Sequence, residues 1–97
     1  MPPVEVEVKF YAMLRDIAGK KAETVSLLLK SSVRDLLDLL VARYGEEFER
    51  YIYDAEKQLR SYLSYMLNGI NINSLDGFDT MLKEGDVLSL LPPVGGG

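Results

Sequence analysis

The chain contains no cysteine and no histidine. Without cysteine there is no disulfide framework and no thiolate metal site, and without histidine there is no imidazole ligand and no Ser/His or Cys/His nucleophilic centre. Any chemistry must use carboxylates, lysines, hydroxyls or the chain end. Long apolar runs are also missing: none approaches the roughly 20 residues needed to span a bilayer. The start Met1-Pro2-Pro3-Val4-Glu5 lacks the basic and apolar regions of a signal peptide. A cytoplasmic location with no membrane partner is therefore expected. There is no long basic run either. The 15 acids outnumber the 11 bases for a net charge of −4, which argues against a nucleic-acid partner and for partners with a basic face.

The 97 residues, 47% apolar and 27% charged, suffice for one folded domain and leave no room for two separate cores. Val4, Val6, Val8 and Phe10 alternate with Glu5, Glu7 and Lys9, the period of two of a strand with one buried face. Tyr11 to Ala18 has apolar residues at helical spacing and stops at Gly19, which predicts a short helical turn. Lys20 and Lys21 mark a solvated turn. Thr24 to Leu29 then reads as a second strand returning beside the first. Ser32-Val33-Arg34-Asp35 is a capping box, in which a serine oxygen and a carboxylate satisfy the free amides of a helix start. From it, Val33, Leu36, Leu37, Leu40, Val41 and Tyr44 form one apolar stripe that ends at Gly45, so the main helix is expected over 33–44.

Residues 46–60 are expected to form a short helix followed by a loop. Tyr62 to Leu67 reads as a third strand, Asn68-Gly69 supplies the two positive φ angles of a tight hairpin, and Ile70 to Ile72 reads as a short fourth strand. Val87 to Leu91 is a buried strand, ended by Pro92-Pro93 because neither proline can donate to a sheet ladder. The order predicts an α+β fold with one main helix packed on a mixed sheet, the first and last strands parallel in its middle. Leu63, Tyr65 and Leu67, with Tyr62 and Met66 opposite, are either core or a docking surface on the face the helix leaves bare. The loop carboxylates Asp76, Asp79, Glu84 and Asp86 match no calcium-loop spacing and read as hydrated turns. No metal site is expected.

The element order and the ending Leu91-Pro92-Pro93-Val94-Gly95-Gly96-Gly97 resemble the ubiquitin-like β-grasp sulfur carriers of the MoaD/ThiS family, above all the MoaD-type small subunit of molybdopterin synthase. Phe10-Tyr11-Ala12-Met13-Leu14-Arg15-Asp16-Ile17-Ala18-Gly19 is similar to that family's Phe-Ala-x-Leu-Arg-Glu-x-Ala-Gly pattern, and Ser32 to Leu37 resembles its helix start. Asn68-Gly69 corresponds to its hairpin turn and Leu82 to Val87 to the Leu-x-x-Gly-Asp-x segment before its last strand. One departure is Gly95, where the family usually has a serine or alanine; the extra glycine loosens the tail.

The resemblance implies a β-grasp domain over residues 1–91 and a flexible tail over 92–97. Gly97 would be adenylated by a ubiquitin-activating-type enzyme using ATP, and a sulfur donor protein would convert it to a thiocarboxylate, with Gly96 beside it. Sulfur would then pass to a molybdopterin precursor in the large subunit of the synthase. The chain itself would be a non-catalytic subunit with no permanently bound cofactor. Other uses of the same fold are conjugation through Gly97 to target lysines, or sulfur delivery for thiamin or tRNA thiolation. A glycine tail suits all of these physically. Six residues beyond Leu91 reach about 20 Å when extended, and glycines lack the Cβ that would block a narrow channel. A glycine end can also be a mere frayed terminus; the proline pair directly after a terminal strand favours a tail, since it keeps the base extended.

Overall fold

The computed structural model describes residues 3–56 and 63–91. They form a five-stranded mixed sheet in the order β2-β1-β5-β3-β4. Strand β1 (Val4–Phe10) buries Val4, Val6, Val8 and Phe10 and turns Glu5, Glu7 and Lys9 to the other face, the alternation its sequence requires. It pairs antiparallel with β2 (Ala22–Leu27) and parallel with β5 (Val87–Leu91), placing Lys9 beside Ser89 and Phe10 beside Leu90. The first and last strands thus run side by side in the middle, as expected of a β-grasp fold.

Helix α2 (Val33–Tyr44) covers one face of the sheet. Its start is the capping box: the Ser32 amide donates to Asp35 Oδ2 at 2.9 Å and the Asp35 amide to Ser32 Oγ at 3.2 Å. Val33, Leu36, Leu37 and Leu40 are fully buried, while Val41 and Tyr44 are half-buried at the margin. Two shorter helices complete the core. α1 (Ala12–Ala18) contributes Leu14 and closes on Gly19 in the left-handed region; α3 (Glu46–Ile52) contributes Phe48 and Ile52. Phe10 meets Tyr44 and Phe48 edge-on, with ring centroids 5.8 and 6.2 Å away.

Three strands have bounds that differ from the sequence reading. β2 begins at Ala22 and stops at Leu27, not Leu29, because the chain turns over residues 28–31: the Ser31 amide and hydroxyl both donate to the Leu28 carbonyl, and Lys30 has φ +73°. Leu28 is consequently 81% exposed. β4 (Ile70–Asn71) ends one residue early because the Asn71 side chain accepts from the Asn73 amide at 2.8 Å and starts a 3-10 turn. β3 (Ser64–Leu67) begins two residues late, and Tyr62 lies outside the described residues, as do 57–60 in the expected loop. The hairpin between β3 and β4 is as expected, with φ +52° at Asn68 and +83° at Gly69.

Candidate functional site

Gly96 and Gly97, and the rest of the tail over 92–97, lie outside the described residues. What the structure defines is the end of β5 at Leu91, the last residue described before them. Because β1 and β5 are parallel, β5 delivers Leu91 to the same end of the sheet at which β1 ends in Phe10. Two long-range features hold this end firm. Phe10 donates its amide to the Lys21 carbonyl at 2.8 Å, tying β1 to the start of β2. On β5's other side, Leu91 pairs with Ser64 and Leu90 with Tyr65 of β3. The strand that carries the tail is therefore central, paired on both sides, and its root is rigid.

At the same end of the sheet, on the β2 side of β1, lies a shallow hollow of about 240 Å³ lined by Lys9, Phe10, Tyr11, Arg15, Lys21 and Ala22. Lys9 projects from the open face of the sheet, Arg15 from α1, and Lys21 from the turn into β2. Beside it, Glu23 of β2 is nearly buried and accepts from both Arg43 and the Tyr44 hydroxyl, which fastens the end of α2 to the sheet edge. Burial raises the Tyr44 pKa, an effect that Arg43 partly offsets. The sequence reading missed this arrangement: it took Lys20-Lys21 as a solvated turn and gave Glu23 no role. The parallel pairing of β1 with β5, which it did anticipate, was the signal that the last residues of β1 lie at the end of the sheet where β5 finishes.

The open face of the sheet carries Glu5, Glu7 and Lys9 of β1, Val87, Ser89 and Leu91 of β5, and Ser64 and Met66 of β3. Of the residues proposed for a docking surface, Leu63, Tyr65 and Leu67 are buried beneath the helices and belong to the core; Met66 alone of the described ones faces out, half-buried. Three of the four loop carboxylates have structural partners. Asp86 accepts from the Lys83 amide and the Asn68 side chain, Glu84 from the Glu5 amide, and Asp79 faces Arg34 at 3.7 Å. Among the described residues no group of three or more acidic, histidine or cysteine side chains is placed to hold a metal. Among them too, no helix is long and apolar enough to cross a membrane.

A rigid β-grasp body with a central strand leading into the glycine-rich stretch can be compared with known proteins. The ThiS family profile matches residues 8–97. The chain belongs to the ThiS family. Within this ubiquitin-like, sulfur-carrier family, it is 37% identical to a molybdopterin synthase sulfur carrier subunit of Drosophila erecta, over 99% of this chain and 94% of that one. It is 34% identical to small archaeal modifier protein 3 of Haloferax volcanii, over 97% of this chain and 100% of the relative. The solution structure of small archaeal modifier protein 1 from Methanosarcina acetivorans superposes with a TM-score of 0.81 at 34% identity, covering 98% of each chain. The ThiS-family match extends through Gly96 and Gly97 and confirms the resemblance drawn from Phe10 to Gly19 and from the chain's last residues.

Proposed function

We propose that this ThiS-family protein is the sulfur carrier of molybdopterin synthesis and that the α-carboxylate of Gly97 is the reacting group. The observation that carries the reading is the full-length likeness to a relative named as the sulfur carrier subunit of molybdopterin synthase. A carboxylate is a poor electrophile. In the first step one of its oxygens attacks the α-phosphorus of ATP, pyrophosphate leaves, and an acyl-adenylate forms. The outer sulfur of a persulfide on a donor protein then attacks the activated carbonyl and displaces AMP, and a thiol cleaves the S–S bond of the resulting acyl disulfide, leaving a thiocarboxylate and a disulfide on the donor side. No side chain of this protein needs to act as acid, base or ligand in either step. Its own residues supply a body to grip and a tail thin enough to enter a buried site. Each tail residue fixed in that site costs about 1–2 kcal/mol, which docking of the folded body must offset.

The partners on this reading are a ubiquitin-activating-type adenylating enzyme, a sulfur donor protein and the large synthase subunit. Incubation with the adenylating enzyme, ATP and a sulfur source is expected to give the thiocarboxylate by intact mass. Removal of Gly97 is expected to abolish it while the circular dichroism spectrum is retained. Molybdopterin formation by the truncated chain would refute the assignment of the site. A second reading, conjugation of Gly97 to target lysines, draws on the likeness to the archaeal modifier protein. Both uses begin with adenylation and diverge at the acceptor, so conjugates in cell extract that disappear when lysines are blocked would select the modifier role.

A further inference from the structure

The charge of this chain is unevenly distributed. Residues 9–21 hold four bases, Lys9, Arg15, Lys20 and Lys21, against the single acid Asp16, whereas the rest of the chain holds seven bases against fourteen acids. The fold turns this short stretch into a surface. The end of β1, helix α1 and the turn into β2 bring Lys9, Arg15 and Lys21 around one hollow that includes Phe10, the β1 residue paired with Leu90 near the end of β5. Among the described residues none of these cations has a carboxylate within ion-pair distance, while Arg34, Arg43 and Arg50 each do. Tyr11, 38% exposed, lines the same hollow and gives it an apolar element.

A protein that engulfs the tail must approach this end of the body first. We propose that Lys9, Arg15 and Lys21, gathered around Tyr11 at the tail root, dock a rim of carboxylates surrounding the tail channel of the adenylating partner. The inference rests on the adenylation of Gly97 proposed above. Two observations select an acidic protein surface over the phosphates of ATP. The reacting carboxylate is six residues beyond Leu91, about 20 Å away when the tail is extended, so the nucleotide and the cationic hollow are not at the same place when the tail is threaded. The bases also come from three separate elements around an open hollow, which suits a broad complementary rim better than one enclosed anion. The overall net charge pointed to partners with a basic face; at the tail root the local sign is reversed, and an interface is governed by the charge it meets at close range because salt screens the remainder.

The test uses the full-length chain with its adenylating enzyme in an ATP–pyrophosphate exchange assay over a series of salt concentrations. The double variant Arg15→Glu, Lys21→Glu is compared with wild type and with Lys83→Glu, which alters an exposed cation before the opposite end of β5. The double reversal is expected to raise KM for the carrier by about tenfold or more, to leave kcat within about twofold, and to flatten the salt dependence of kcat/KM. Lys83→Glu is expected to behave as wild type, and the neutral pair Arg15→Gln, Lys21→Gln to fall between. An unchanged carrier KM in both double variants would overturn the docking assignment, and so would a rise in KM for ATP in its place, which would make nucleotide phosphates the ligand. Absence of exchange with wild type would instead refute the function proposed in the preceding section.

Discussion

Phe10 is where the core and the tail root meet, so its truncation is the most informative single perturbation. The side chain is 1% exposed and packs edge-on against Tyr44 and Phe48, whose own rings stack with centroids 5.6 Å apart. Phe10→Ala removes a fully buried ring and leaves a cavity among β1, α2 and α3, a change that costs about 3–5 kcal/mol. A domain of this size holds about 5–15 kcal/mol in total. The loss corresponds to a fall in Tm of roughly 15 °C or more. Phe10→Leu refills most of the volume and forfeits mainly the ring-edge contacts, so it should cost about 1–2 kcal/mol. Urea titration followed by circular dichroism measures both, with m expected to stay constant because the surface exposed on unfolding hardly changes. An alanine variant within about 1 kcal/mol of wild type would refute the reasoning, since it would mean that the three aromatic rings do not carry the packing at this end of the sheet.

Other outcomes follow from single features. Ser32→Ala deletes one half of the capping box and should cost about 1 kcal/mol of stability, largely restored by Ser32→Asp, in thermal melts. Gly69→Ala places a Cβ at φ +83° with no atom within 4 Å, so the backbone alone is penalised, by about 1 kcal/mol in the same assay. Tyr53, whose hydroxyl donates to Asp38 at 2.9 Å, has its pKa pushed from 10.0 up to about 12, first by burial and then by that hydrogen bond. The raised pKa means that the folded state holds the phenol proton more tightly than the unfolded one. Its contribution to stability is complete below the ordinary value and is lost as pH rises through the interval up to about 12. Tyrosinate absorbance should show a late-titrating component besides that of Tyr44, and it should be lost in Tyr53→Phe; no change on that substitution would show that the Asp38 contact does not persist in solution.

Most of the secondary structure was legible because its signals are local. The alternation of Val4 to Phe10, the Ser32–Asp35 box, the stop at Gly45, the Asn68-Gly69 turn and the apolar run Val87–Leu91 each act within a few residues of chain, and the helix over 33–44 and the last strand fall where they were expected. The candidate reacting residues, Gly96 and Gly97, were likewise a matter of sequence, drawn from the chain's last residues and the family pattern. The tertiary structure decided what depends on distant partners. It ended β2 at Leu27 through the turn at Leu28–Ser31, and it sent Leu63, Tyr65 and Leu67 inward. It set Glu23 against Arg43 and Tyr44, and it collected Lys9, Arg15 and Lys21 at the tail root. Residue spacing records which face of its own element a side chain occupies; only the pairing of β1 with β5, remote in the chain, determines which charges lie at the end of the sheet where β5 finishes.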